Sequence, residues 1–192
     1  MKHTISTEQF PAKEFLVIKG IVKLYDSEDS SVPSSDINTW STIKHRLNDG
    51  SVERLKKTAG SETAYILFCN TCIRNDADKC YDCGCDIACE NLNDAKSTDE
   101  FEIVRLLPCE YAMFDCDFSG EISMPKAHEK PDALFWGEWL KVNPYTSSID
   151  ESANWVGNGY ASIELYTPFD PAADKFNAKF WYPIVKKESE ND

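Results

Sequence analysis

The chain has 192 residues, 42% of them hydrophobic and 12% aromatic, which suits one packed domain or two small halves of one. It carries 20 Lys and Arg against 33 Asp and Glu, a formal charge of −13, so it lacks the clustered bases that phosphate recognition needs, and direct nucleic-acid binding is excluded. No apolar run is long enough to span a membrane, and the start, Met1-Lys-His-Thr-Ile-Ser-Thr-Glu8, lacks a signal peptide's apolar core, so a cytoplasmic protein without membrane attachment is expected.

In chain order, Glu14-Phe-Leu-Val-Ile-Lys-Gly-Ile-Val22 reads as a central strand ending near Gly20, followed by a polar loop from Asp26 to Ser35. Ile37, Trp40, Ile43 and Leu47 recur every three or four residues behind the capping candidates Ser34, Ser35 and Asp36, which predicts an amphipathic helix with Trp40 in its buried stripe. Val52 and Leu55 predict a further short turn. Ala64-Tyr-Ile-Leu-Phe-Cys69 and Cys83-Gly-Cys-Asp-Ile-Ala-Cys89 read as two strands around a cysteine-rich loop. The second half opens with Glu102 to Leu107, a turn at Pro108, and a strand running to Asp115. Pro131 to Val142 follows as a helix, with Pro131 in its first turn and Asn143-Pro144 ending it. Gly157-Asn-Gly159 is a turn before two final strands, Tyr160 to Thr167 and Phe176 to Lys187. The order strand, helix, strand, strand thus occurs twice. This predicts an α+β fold, a single domain over 1–192 with pseudo-repeats of about 1–98 and 99–192, an antiparallel sheet and two main helices.

Six of the eight cysteines crowd into Cys69-x2-Cys72-x7-Cys80-x2-Cys83-x1-Cys85-x3-Cys89. Cys69, Cys72, Cys80 and Cys83 could form a tetrahedral zinc set. The seven-residue spacer is short for one, and Cys83-Gly-Cys85 sits at a strand entry where neighbours point to opposite faces. Reduced, mostly buried thiols are therefore the preferred reading, with no metal and no other cofactor expected; disulfides or redox sensing are a third. The acidity reads as a solubility device, or as complementarity to a cationic or basic protein partner. His128-Glu129 reads as a solvated loop before the second helix, and His3 and His45 carry no site; no histidine stands beside a Ser or Cys motif, and no phosphate-cradling glycine loop occurs.

Four segments in this order resemble the GyrI-like effector-binding domain, also found as the ligand-binding half of AraC- and MerR-type multidrug regulators. They are Val17-Ile-Lys-Gly20, Pro108-Cys-Glu-Tyr-Ala-Met-Phe114, Glu164-Leu-Tyr166, and Trp181-Tyr-Pro-Ile-Val-Lys-Lys187; Tyr81-Asp-Cys-Gly84 is similar to a fifth, with Cys83 where the family has an aromatic. The resemblance covers nearly the whole chain. It implies duplicated β-α-β-β modules of SHS2 type, a curved antiparallel sheet, and a central cleft that binds small lipophilic or aromatic, often cationic, molecules. It also implies a stand-alone member, since the chain begins at the first strand with no DNA-binding domain ahead of it. Stand-alone members include a gyrase-binding protein and hydrolases of cyclopropane-bearing toxins.

The same resemblance puts Glu164 in the cleft. Strand alternation groups Tyr160, Ser162, Glu164 and Tyr166 on one face and Ile163 and Leu165 on the other, the latter expected against the helices. Trp181 and Lys179 are assigned to the Glu164 face, where Lys179 could neutralise the carboxylate. Tyr111, Trp136, Trp139, Phe68 and Tyr81 complete the expected lining. A carboxylate among rings would receive a lipophilic cation by Coulomb attraction and by cation–π contacts of roughly 0.5–2 kcal/mol each. The leading reading is a binding module that senses or sequesters such molecules, read out by a separately encoded regulator. The others are a hydrolase using Glu164 as base with Tyr111 or Tyr166 as oxyanion donor, and an acidic module that docks on a basic protein.

Overall fold

The computed structural model of the chain describes residues 1–18, 35–68, 73–74, 81–82, 86–120, 122–147 and 161–187; at 35–39, 41–42, 68, 73–74, 81–82 and 86 it describes the backbone. The strands are β1 (Lys2–Phe10), β2 (Lys13–Ile18), β3 (Tyr65–Phe68), β4 (Ile73–Arg74), β5 (Tyr81–Asp82), β6 (Asp86–Glu90), β7 (Phe101–Leu106), β8 (Cys109–Phe118), β9 (Tyr145–Ser147), β10 (Ser162–Thr167) and β11 (Phe176–Lys186). The helices are α1 (Ser35–Asn48), α2 (Ser51–Ala59) and a second helical segment. That segment begins as α3 (Glu129–Leu134), widens into a π turn (Phe135–Trp139) and ends as α4 (Leu140–Val142).

One antiparallel sheet runs in the order β1-β8-β11-β10-β3-β6-β2-β7, with β9 on the far end of β11; β4 and β5 make a separate two-stranded ladder. Two strand triplets have the same connectivity. β2-β6-β3 spans the first helical layer and β8-β11-β10 the second, and the triplets meet where β3 pairs β10.

The outer strands join these triplets by a single ribbon. From Lys2↔Asp117 to Phe10↔Cys109, and again from Lys13↔Leu106 to Ile18↔Phe101, the register is unchanged. Carried across the gap, that register sets Pro11 opposite Pro108. Neither proline can donate to a ladder, so both strands are interrupted at one point. There the ribbon turns over: Phe10 lies on the same face as Phe15 and Val17, and Leu106 on the same face as Cys109 and Tyr111, a change of parity on each strand.

Alternation then divides the interior into two cores. The helix-side core holds Leu16 and Ile18 of β2, Ile66, Ile87, Phe114, Tyr166, Phe180 and Tyr182, together with Trp40, Ile43, Val52, Leu55 and Phe135 from the helices. The other core holds Phe15, Val17, Leu67, Tyr111, Met113, Ile163 and Trp181, with no helical residue among the described residues. Arg46 of α1 donates from Nη1 to the Ile18 carbonyl at 3.2 Å, tying helix to strand end. Gly60 ends α2 at φ 73°; its N–H reaches the Lys56 carbonyl, and a Cβ there would lie 2.4 Å from Asn93 Oδ1.

Several expectations are corrected. Residues 2–10, given no element in the sequence, form a long edge strand on β8; their polarity and the distance of that partner along the chain leave no local pattern to read. Val52 and Leu55 belong to the nine-residue helix α2 and not to a short turn. Glu129, expected in a loop, begins α3. The expected loops at 26–35 and 70–80, the Gly157–Gly159 turn, and Cys69, Cys72, Cys80, Cys83 and Cys85 lie outside the described residues except for fragments of backbone. Among the described residues no three His, Cys, Asp or Glu side chains gather as a metal site, and no helix is long and apolar enough to cross a membrane.

Candidate functional site

Glu164 stands on β10, one of the two central strands, and is 6% exposed. A carboxylate in such a place needs hydrogen bonds or a counter-charge. Its Oε2 accepts the Tyr166 hydroxyl at 2.6 Å, a contact that strand alternation supplies because residues two apart share a face. Opposite Glu164 on β11 is Phe180, and on β3 Ile66.

Both helical layers drop an aromatic ring onto this face. Trp40 of α1 meets Tyr166 edge-on at 5.4 Å, and Tyr166 meets Phe180 edge-on at 5.9 Å. Phe135 of the π turn stacks on Tyr182 at 4.3 Å, and Tyr182 meets Phe114 edge-on. The Tyr182 hydroxyl donates to Asp132 Oδ1 at 2.5 Å. Burial, then the negative charge of Asp132 and its hydrogen bond, with a contribution from Glu164, push the Tyr182 phenol well above its ordinary pKa, so it remains a neutral donor. The result is an acidic centre with tyrosine donors inside a buried aromatic layer.

The predicted lining separates into two faces. Glu164 and Tyr166 share the helix side. Trp181 pairs opposite Ile163 and Lys179 opposite Leu165, so both occupy the other face of the sheet. Trp181 Nε1 donates to Glu8 Oε2 at 3.3 Å, and Lys179 Nζ lies 3.5 Å from Asp115 Oδ2. The expectation that Lys179 neutralises Glu164 is therefore corrected, as is the expectation that Ile163 and Leu165 pack on the helices. Alternation along β11 groups Lys179 with Trp181 but does not say which set faces Glu164; the ladder sets Phe180 opposite it, and a shift of one residue exchanges faces. Tyr111 is also on the far face: it is fully buried, and its hydroxyl donates to the Ala161 carbonyl at 3.1 Å.

The helix residues differ from each other. Trp139 stacks between Phe135 and Tyr145 at 5.9 and 5.6 Å and borders an outer groove, whereas Trp136 is 49% exposed with its ring edge-on to Phe135. Phe68 pairs by backbone with Ser162, and Tyr81 with Arg74. The sequence reading missed Tyr182, Asp132, Phe180 and Phe135. The parity of β11 was the available signal for Phe180 and Tyr182; once Phe180 is set opposite Glu164, Tyr182 follows two residues on.

No protein-family model and no curated protein matches the sequence. Solved structures do match, over nearly the whole chain. SAV2435, solved bound to tetraphenylphosphonium, aligns at a TM-score of 0.61 and 13% identity, covering 96% of this chain and 94% of that one. The EcmrR C-terminal domain aligns at 0.56 and 13%, covering 97% and 100%. The integron cassette protein VCH_CASS2 from the mobile metagenome of Vibrio cholerae aligns at 0.51 and 11%, covering 94% and 95%. At such identities the likeness is one of fold.

Proposed function

We propose that this chain is a GyrI-like ligand-binding domain that holds a lipophilic aromatic cation against Glu164, between the α1 and α3 sides of the sheet, in order to sense or sequester it. The observation that carries this reading is the buried Glu164 carboxylate, hydrogen-bonded to Tyr166 and set among Trp40, Phe180 and Tyr182. A bound cation would gain Coulomb attraction to the carboxylate, and the rings would supply area and cation–π contact. That SAV2435 was solved with tetraphenylphosphonium supports the ligand class. The equal connectivity of the two strand triplets supports reading the fold as a duplication of SHS2 type, with its cleft where β3 meets β10. In this reading half-exposed Trp136, edge-on to Phe135, would stand at the rim of that cleft. In this reading the protein works in the cytoplasm and passes its occupancy to a separately encoded regulator.

The test is a tryptophan-fluorescence titration with tetraphenylphosphonium and with the uncharged tetraphenylmethane core made soluble by neutral groups. Saturable quenching by the cation is expected, weakened about tenfold in Glu164→Gln, with the neutral compound unaffected by the substitution; a tenfold loss corresponds to about 1.4 kcal/mol. Equal affinity of native protein and Glu164→Gln for the cation would refute the role given to Glu164.

A further inference from the structure

β1 is the terminal strand of the sheet, paired with β8 alone among the described strands, and all its residues from Lys2 to Gln9 are exposed. Natural edges of this length are normally blunted by a proline, a bulge or a covering segment, because an uncovered row of N–H and C=O groups is a template for another strand. Within its nine residues β1 has no proline, and its register with β8 runs without a bulge from Lys2↔Asp117 to Phe10↔Cys109.

The side chains of β1 are complementary to themselves. An antiparallel pairing centred on Ile5 sets Ile5 against Ile5 of a second copy, Thr4 against Ser6, His3 against Thr7, and Lys2 against Glu8. Cross-strand partners share a face, so each Lys2 meets a Glu8 of opposite charge, and the two-fold symmetry makes the pair twice. Glu8 Oε2 already accepts Trp181 Nε1 at 3.3 Å, which holds the carboxylate on that face of the sheet.

The other face of β1 adds apolar surface at the same place. Ile5, 38% exposed, and His3 border a groove of about 490 Å³ whose remaining walls are Leu134, Glu138, Trp139, Lys141 and Val142; Val142 is 82% exposed. In the Ile5-centred pairing the second copy's His3, Ile5 and Thr7 project to this side and extend the wall of the groove.

We infer that β1 is the seam of a two-fold homodimer, in which the β1 strands of two copies pair antiparallel about Ile5 and join their sheets through reciprocal Lys2–Glu8 ion pairs. The inference is independent of the ligand reading.

Sedimentation equilibrium across a wide concentration range tests it, with hydrogen exchange as the local readout. The native chain is expected to approach twice its chain mass as concentration rises, with the amides of β1 gaining protection in step. Lys2→Glu sets like charges opposite each other twice and should weaken the dimer about tenfold. Adding Glu8→Lys to that variant restores opposite charges and should restore the dimer. A chain that stays monomeric throughout, a double variant no tighter than the single one, or protection arising on another strand would each overturn the inference. Binding of β1 to a foreign strand by a monomeric native chain would overturn it as well.

Discussion

Tyr182 on the last strand donates its hydroxyl to Asp132 on α3 at 2.5 Å, so a hydrogen bond to a charged acceptor fastens the second helical segment to the sheet beside Glu164. Phe135, three residues along the same helix, stacks on the ring that carries that hydroxyl. Removing the hydroxyl while keeping the ring, Tyr182→Phe, isolates the bond. Hydrogen bonds to charged groups are worth about 1.5–3 kcal/mol, so urea unfolding should show a loss of that size. An unchanged midpoint would mean that Asp132 finds an equally good partner.

Lys179 gives a sharper test of the face assignment. It lies beside Asp115 on the side of the sheet away from Glu164, and both side chains are substantially exposed. Exposed pairs contribute about 0–1 kcal/mol. Lys179→Ala should therefore leave tetraphenylphosphonium affinity within about twofold and stability nearly unchanged. Clearly tighter cation binding in this variant would show that Lys179 competes for the carboxylate after all.

Trp40 of α1 is 5% exposed and meets the Tyr166 ring edge-on. Trp40→Ala removes a large buried ring and should cost about 3–5 kcal/mol, with Trp40→Phe recovering much of it. Because Tyr166 holds Glu164, the alanine variant should also weaken cation binding under conditions where it stays folded. A destabilised variant with full affinity would detach Trp40 from the site.

The thiols of Cys89 and Cys116 are fully buried, and burial, as the leading cause, pushes each up to about 12. Their folded pKa lies above the unfolded value of about 9, so the stabilisation linked to the neutral thiol is fully present below pH 9 and is lost as pH rises toward 12. Melting temperature should fall through that window, and the fall should be shallower in Cys89→Ala/Cys116→Ala. In the native protein at pH 8 both thiols should resist iodoacetamide until urea exposes them. Rapid native labelling at either position, identified by peptide mass, would contradict this.

Period-2 and period-3.6 patterning made most of the architecture legible. The apolar runs at Phe15–Ile18, Ala64–Leu67, Tyr111–Phe114 and Phe176–Ile184 are strands, and the Trp40–Ile43–Leu47 stripe is a helix, because each buries a face that its own spacing announces. β1 was not legible. Lys2-His-Thr-Ile-Ser-Thr-Glu-Gln has no buried face, and it is a strand because β8 offers it a ladder. At the site, Glu164 and Tyr166 could be paired from their i,i+2 spacing alone. Alternation groups Phe180 with Tyr182 on β11, but that this set faces Glu164 depends on the register of β11 with β10. Tyr182 and Asp132 meet across helix and sheet, and such a contact becomes visible only when both elements are placed.

The Pro11–Pro108 junction has a consequence for the handling of the chain. The outer neighbour of β2 is β7, drawn from beyond residue 98, whereas β1, from the beginning of the chain, borders β8. A cut at the midpoint would therefore leave each fragment holding a strand that belongs beside the other fragment's sheet. Two such pieces co-expressed should reassemble as a complementing pair, while either alone should be insoluble. Neither half of the chain holds every strand of its own side of the sheet, so each is complete only in the presence of the other.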